Sequence, residues 1–213
     1  MTAKIKLNAT SGGGSVSLEA PSSSSNNRVI SLPDIADGTL LTSQSSLDST
    51  KLSPAISAGI TMADQWRINS SFTFATGYTD ITSNWERVDT DGYGQLGTGM
   101  TESSGIFSFP STGIYLITFF GNVQRNSGND RFGEINLYTT VNNSSYSEAA
   151  TSYACAPSQY NRGAIALNFI FDVTNISTHK LKFKQYENHG SLNFLGSSDI
   201  NLNSTTFIRL GDT

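Results

Sequence analysis

The chain has 213 residues with a formal net charge of -4 at pH 7, and only 14% of its residues are charged. That share is well below the usual quarter, and Ser, Thr, Asn and Gly take its place. Lys180, Lys182 and Lys184 form the densest basic run, but they alternate with apolar residues, as on the outer face of a strand. Nucleic-acid binding therefore has no electrostatic support.

The chain offers little for redox, metal or membrane chemistry. Cys155 is the single cysteine, which excludes a disulfide framework and a multi-cysteine metal site within one chain. A small buried or interface residue is the favoured interpretation of Cys155, ahead of a nucleophile. The start "MTAKIKLNAT" has no apolar core of a signal peptide. No apolar run approaches the ~20 residues of a membrane helix, so neither secretion nor membrane insertion is expected.

Residues 1–60 are interpreted as an extended, β-rich attachment segment. In "SVSLEA", Val16 and Leu18 alternate with serines, and "PSSSSNN" after it has a loop composition. Residues 1–42 hold few large apolar side chains and no aromatic one, so this stretch is expected to need a partner surface. The stretch 43–57 is a modest helix candidate that Pro54 limits, and we interpret it as a linker.

Residues 61–213 show repeated period-two alternation, which is typical of half-buried strands. "WRINSSFTF" alternates Trp66, Ile68, Phe72 and Phe74 with polar residues. "INLYTTV" and "AIALNFIFDV" each place apolar residues on one face: Ile135, Leu137, Thr139 and Val141 in the first, and Ile165, Leu167, Phe169, Phe171 and Val173 in the second. At least seven strand candidates and no convincing helix predict an all-β sandwich or barrel.

The stretch "GIFSFPSTGIYLITFF", residues 105–120, is apolar on both faces of its second strand. Tyr115, Ile117 and Phe119 share one face, and Ile114, Leu116 and Phe120 lie on the other. Since a sandwich strand in a monomer is normally polar on its outer face, the second face needs a cover. A subunit interface is the favoured cover, and a plain surplus of apolar residues is the alternative.

The same stretch resembles the Gly-x-Phe-x-x-Pro-x-x-Gly-x-Tyr signature of the tumour-necrosis-factor-like (TNF-like) jelly roll, the fold of the globular heads of the first complement component. Gly105, Phe107, Pro110, Gly113 and Tyr115 hold the matching positions. Residues 168–186 and the closing "STTFIRLGDT" resemble later strands of that family. The resemblance covers residues 66–213 and implies a homotrimer with aromatic-rich strands at its axis. The implied interface residues are Ile114, Leu116, Phe120, Tyr115 and Phe207.

A narrower resemblance concerns virion proteins of marine tailed phages. Residues 83–117, with "FIFDVTNISTHKLKF" and "FIRLGDT", are similar to such structural proteins. "NRVISLPDIADGTLLTS" resembles a segment at the front of their tail-fibre-like and head-fibre-like proteins. This resemblance implies a homotrimeric protein on the particle surface, made in the host cytoplasm and attached to other virion proteins through residues 1–60.

Two short motifs suggest ligand sites that their surroundings do not favour. "GYGQLG", Gly92–Gly97, matches G-x-G-x-x-G, but a dinucleotide loop must open a helix and none is predicted here. "DTDG", at 89–92, resembles the front of a calcium loop without the rest of an EF-hand. An Asp-Gly turn is favoured, with Asp89 and Asp91 as weak calcium candidates, and no cofactor is expected.

The sequence carries no clear catalytic signature. His179 and His189 are the only histidines, both in segments that predict turns, and no G-x-S-x-G elbow accompanies them. Two catalytic carboxylates of a glycosidase cannot be identified from sequence spacing. The chain is therefore expected not to be an enzyme.

Three functional interpretations remain open. The first is a tail or head fibre that contacts a host surface glycan or protein, the second a capsid decoration or cement protein, and the third a carbohydrate-acting enzyme on a fibre. Adhesion would use polar loops, repeated around the trimer axis so that weak contacts add up. The candidate contact residues in these loops are Arg125, Asn129, Arg131, Tyr146, Asn188 and His189.

Overall fold

The computed structural model describes residues 4–8, 10–19, 59–127 and 132–213. The chain divides into two compact units, Met1–Leu47 and Asp48–Thr213. The segment "RVISLPDIADGTLLT" and the predicted linker with Pro54 lie outside the described residues. The predicted division at residue 60, with its attachment role for residues 1–60, stays a prediction.

The described part of the first unit is a β-hairpin. Strand β1 (Lys4–Asn8) pairs antiparallel with β2 (Ser15–Glu19). Gly12 and Gly13 lie in the connection with φ of 84° and 69°, a left-handed backbone that glycine adopts without a steric penalty. The alternating stretch around Val16 is therefore a strand, as the sequence predicts.

The described residues of the second unit form thirteen strands and no helix. The strands are β3 (Met62–Ile68), β4 (Phe72–Thr73), β5 (Thr79–Asp80), β6 (Trp85–Arg87), β7 (Thr101–Ser103), β8 (Ile106–Ser108), β9 (Gly113–Arg125), β10 (Phe132–Thr140), β11 (Ser147–Cys155), β12 (Arg162–Val173), β13 (Lys180–Tyr186), β14 (Leu192–Phe194) and β15 (Ser204–Gly211).

These strands form two antiparallel sheets. The seven-stranded sheet has the order β4-β14-β9-β15-β3-β6. β14 and β15 pair with different parts of one edge of β9, and β12 pairs with its opposite edge. The six-stranded sheet has the order β11-β10-β13-β8-β7, with β5 also paired to β13. Neighbours such as β9 and β15 are far apart in sequence, as expected for strands that cross between two packed sheets. The all-β prediction is confirmed.

One continuous apolar core fills the space between the sheets, and phenylalanine dominates it. Phe107, Phe119, Phe183 and Phe207 are fully buried, and their rings lie within contact of one another or of Trp85. Such tilted and edge-to-face ring pairs are the arrangements that aromatic quadrupoles favour. The core residues with the least exposure, besides those four, are Ile68, Met100, Tyr115, Ile117, Val123, Ile135, Leu137, Ile165, Val173, Leu181, Leu192 and Phe194.

The alternation read from the sequence gives the correct inward faces for most strands. In β12 the residues from Ile165 to Val173 point inward at every second position, and Phe169 alone of this set is only partly buried. Val141 is an exception, because β10 ends at Thr140 and the valine side chain is 61% exposed. The strand therefore ends one residue before the predicted apolar face does.

Candidate functional site

The stretch 105–120 forms β8 and β9, and it has the two faces that the sequence predicts. Tyr115, Ile117 and Phe119 point into the core, and the Tyr115 hydroxyl donates to the Ser111 carbonyl at 3.0 Å. Ile114 and Leu116 are half-buried on the opposite side, and Phe120 there is 60% exposed. The second apolar face is therefore the outer face of the seven-stranded sheet.

Strand register extends this outer face into an apolar row across four strands. Ile170 of β12 lies opposite Leu116 of β9, which lies opposite Ile208 of β15, which lies opposite Ala63 of β3. Directly paired residues in antiparallel strands point to the same side of the sheet. We call these four residues the apolar row. The side chain of Ile170 is 60% exposed. Phe120 lies on the same face four residues further along β9, beyond Thr118 and its polar partners Asn168 and Thr206.

Two residues of the implied trimer interface lie elsewhere. The side chains of Tyr115 and Phe207 are fully buried inside the sandwich of a single chain. Period-two alternation explains the correction, because both residues occupy the inward positions of β9 and β15. Ile114, Leu116 and Phe120 stay as interface candidates.

Asp89 and Asp91 lie at the edge of this sheet, in the loop after β6. They line an open hollow of about 400 Å³ with Thr90, Ser198 and Asp199. The loop makes the predicted Asp-Gly turn, in which the Tyr93 amide donates to the Thr90 carbonyl at 2.9 Å and Gly92 has φ 87°.

The Asp89 carboxylate already has a protein partner. It forms a short ion pair with the guanidinium of Arg67, a β3 residue that is fully buried on the outer side of the sheet. The Arg67 guanidinium also pairs with Glu86 at 2.9 Å. A buried arginine needs such paired carboxylates, so Asp89 has a structural role at this edge. Within the described ranges, no three His, Cys, Asp or Glu side chains are grouped to hold a metal ion.

The glycine-rich stretch after this turn is a loop that is held by a buried carboxylate. Asp64 of β3 is 2% exposed and accepts hydrogen bonds from the Met100 amide at 2.7 Å and from the Tyr93 hydroxyl at 2.8 Å. It also pairs with the Arg87 guanidinium at 3.1 Å. This network fastens the loop from Tyr93 to Met100 onto the sheet, and no helix follows the glycines, as predicted.

Tyr93 provides a pH prediction. Burial, with the nearby Asp64 as a further cause, raises the pKa of the Tyr93 hydroxyl to about 12 from its ordinary value of 10.0. The unfolded chain therefore loses this proton at lower pH than the folded chain, and the contribution of Tyr93 to stability falls as pH rises from 10 towards 12. We expect the urea midpoint of Tyr93→Phe to fall less steeply than that of the wild type over this range. Equal slopes would contradict the assignment.

The candidate contact residues do not form one patch. Arg125 is the last residue of β9, and the amide of the next residue, Asn126, donates to the Ser191 carbonyl. This hydrogen bond places Arg125 near the loop that contains Asn188 and His189, at one end of the sandwich. Tyr146 follows β10 at the opposite end. Asn129 and Arg131 lie outside the described residues. The described candidates therefore lie at two opposite ends of the sandwich and cannot form a single contact surface.

The six-stranded sheet carries a tyrosine-rich surface that the sequence patterns did not predict. Tyr138, Tyr153 and Tyr186 point outward from adjacent strands, and Tyr78 and Tyr146 pack their rings against this face from neighbouring loops. Lys180, Lys182 and Lys184 lie on the outer positions of β13, as predicted. Tyr186 continues the same alternating set of outward positions in β13 as these lysines, and this alternation could have indicated the surface.

Neither the cysteine nor the buried histidine indicates catalysis. Cys155 is exposed at the end of β11, so its predicted burial does not hold within one chain. His179 stacks on Phe171, and its ring nitrogens lie 3.2 and 3.1 Å from the hydroxyls of Thr174 and Thr178.

Among the described residues, no helix has the length and apolar character to cross a membrane.

Comparison with known proteins identifies the fold. Eiger, a TNF from S. frugiperda, has TM-score 0.52 and 11% identity, over 73% of this chain and 95% of that chain. Murine APRIL has TM-score 0.49 and 12% identity over 70% and 98%, and the PRD1 vertex protein P5 has TM-score 0.43 and 20% identity over 73% and 100%. No protein-family model and no curated protein matches the chain. The likeness to Eiger shows a TNF-like jelly roll, and an identity this low bears on the fold alone.

Proposed function

We propose that this protein is a non-enzymatic structural protein of a tailed-phage virion, a homotrimeric fibre or spike on the particle surface. The observation that carries the proposal is the apolar row with Phe120 on an outer sheet face. Ile170 is 60% exposed in the single chain and is paired in one row with the half-buried Leu116 and Ile208. Phe120, also 60% exposed, lies on the same face four residues along β9 from Leu116. Apolar surface of this kind is typical of association sites.

A homotrimer around one axis, which the family resemblance implies, would cover such a face. In a cyclic assembly each chain presents the same patch, so the apolar row of every copy is withdrawn from water together. The resemblance of residues 83–117 to phage virion proteins supports a place on the particle. In this proposal residues 1–60 attach the protein to the particle, and the jelly-roll domain of residues 61–213 contacts the host.

The first experiment is the mass of the purified protein in solution, by light scattering after size exclusion. A mass close to three times the 22.9 kDa of one chain is expected. Detection of the protein on purified particles by mass spectrometry then tests the virion location. A monomeric protein that is absent from particles would overturn the proposal.

Copy number on the particle separates a fibre from a decoration protein. A fibre at a few sites occurs in far fewer copies than a protein that covers the capsid surface. Quantitative mass spectrometry against the major capsid protein measures this ratio. A ratio near one copy per capsid subunit would favour decoration over the fibre.

A further inference from the structure

The outer face of the six-stranded sheet is built from tyrosines and hydrogen-bonding groups. Five of the eight tyrosines of the chain have their rings on this face, whereas the aromatic rings of the core between the sheets are mostly those of phenylalanine. The segregation is chemical, because a tyrosine gives an apolar ring and a hydroxyl that stays hydrated. We call this surface the tyrosine face; its rings are those of Tyr78, Tyr138, Tyr146, Tyr153 and Tyr186.

One row of the tyrosine face aligns aromatic rings across three neighbouring strands. Glu134 of β10 lies opposite Tyr153 of β11 on one side and Tyr186 of β13 on the other. The Tyr78 ring packs against the Tyr186 ring in a tilted arrangement, with 4.5 Å between ring centroids. Tyr153 and Tyr186 are two strands apart, roughly 10 Å, which is about the length of a disaccharide. Tyr153 is 65% exposed and Tyr78 53%, so both rings are open to a ligand.

A nearly buried carboxylate lies between these aromatic platforms. Glu134 is 6% exposed, and it accepts the Tyr78 hydroxyl at 3.3 Å. Burial raises the pKa of its carboxyl above the ordinary value of 4.5, with the hydrogen bond from Tyr78 opposing that rise. A carboxylate has about four acceptor sites, so Glu134 keeps capacity for the hydroxyl of a ligand.

The three lysines of the face all have partners within the protein. Lys180 donates to the Ile176 carbonyl at 2.9 Å, and the exposed Glu148, opposite Tyr138, adds negative charge. Lys182 and Lys184 share the carboxylate of Asp80, with N–O distances of 2.7 and 3.5 Å. Their ammonium groups also lie over the rings of Tyr146 and Tyr138, at 4.5 and 4.6 Å from the centroids. The face therefore offers no free cationic patch to an anionic polymer, and Glu134 opposes an anion in the row itself.

We propose that the tyrosine face binds an uncharged oligosaccharide along the row Tyr153–Glu134–Tyr186 with Tyr78. The C–H faces of pyranose rings stack on the exposed tyrosines, and ring hydroxyls donate to Glu134. A protein partner is disfavoured because a carboxylate, that of Glu134, lies at the centre of the row, and charged residues are depleted at the core of protein interfaces. The inference deepens the proposed function, on which it rests for its biological setting, by naming the ligand class of the host contact.

The test uses the full-length protein and defined sugars. Saturation-transfer NMR is measured with cellohexaose, chitohexaose and laminarihexaose as neutral probes and oligogalacturonate as the anionic probe. At least one neutral probe is expected to bind, and oligogalacturonate is expected not to bind. The variants Tyr153→Ala and Tyr78→Ala are each expected to weaken binding about tenfold, as loss of one ring-stacking contact implies.

Tyr160→Ala is the matched control. Tyr160 is 67% exposed, similar to Tyr153, but it lies in the loop before β12, away from the tyrosine face. It should leave binding unchanged. Circular dichroism of all three variants checks that they fold. Failure of every neutral probe to bind, or equal loss in Tyr160→Ala, overturns the inference.

These outcomes are separate from those of the proposed function. A trimer that is present on particles but binds none of the neutral sugars overturns the sugar site alone. A sugar-binding monomer that is absent from particles overturns the proposed function alone. Glu134→Gln adds a readout of chemistry, because it keeps the shape of the side chain but removes the carboxylate. It is expected to weaken neutral-sugar binding.

Discussion

Aspartate at both Phe120 and Ile170 is expected to convert the assembled protein into a folded monomer. Both side chains are 60% exposed within one chain, so their replacement leaves the core between the sheets intact. In the assembly, each copy would bury two carboxylates against apolar surface, and an isolated buried charge is strongly unfavourable. Light scattering should give the mass of one chain, and circular dichroism should keep the wild-type β signal.

The matched control changes two exposed isoleucines that lie outside both sheets. Ile176 and Ile200 are 43% and 59% exposed, in the turn after β12 and the loop before β15. Their double replacement by aspartate should leave the mass of the assembly unchanged. A Phe120/Ile170 variant that stays a folded trimer would show that the apolar row is not the interface. Loss of the trimer in the control would point to another surface.

Phe107→Ala is expected to cost about 3–5 kcal/mol of unfolding free energy. Phe107 is fully buried, and its ring centroid lies 5.6 Å from Trp66, 5.1 Å from Trp85 and 5.2 Å from Phe207. The alanine leaves a cavity between the two sheets and removes ring contacts on both sides. Because dissociation of an oligomer is linked to its unfolding, the urea titration is best performed in the monomeric Phe120/Ile170 background.

Phe132→Ala is the control for this measurement, since it makes the same chemical change at a surface position. Phe132 begins β10 and is 39% exposed. Its replacement should cost less than about 1 kcal/mol, as is usual for surface positions. Similar losses for the two variants would mean that the rings around Phe107 do not form the main core.

The faces of single strands could be read from the sequence because a strand alternates with period two. This local rule correctly placed Ile117 and Phe119 on one face of β9, and Leu116 and Phe120 on the other. Alternation does not show whether a tyrosine packs in the core or at a subunit interface. The family resemblance implied that Tyr115 lies at the trimer axis, but its side chain is fully buried within one chain. Strand ends also escape the rule, as Val141 shows, because a turn ends pairing regardless of side-chain type.

Pairing between distant strands could not be read in this way. The apolar row exists because Ile170, Leu116 and Ile208 are directly paired across three neighbouring strands, and this pairing depends on strand register. A shift of one residue in any strand would move its side chain to the other face. The tyrosine face likewise joins Tyr78 to Tyr186, which lie more than a hundred residues apart.

The sequence by itself determined the all-β class and the inward and outward sides of most strands, because both follow from local composition and alternation. The tertiary structure alone decided which strands are neighbours. It thereby assembled the apolar row, buried Arg67 against Glu86 and Asp89, and gathered five tyrosines on one face. The physical reason is that these groupings depend on long-range register and on side-chain contacts between strands, which no local pattern encodes.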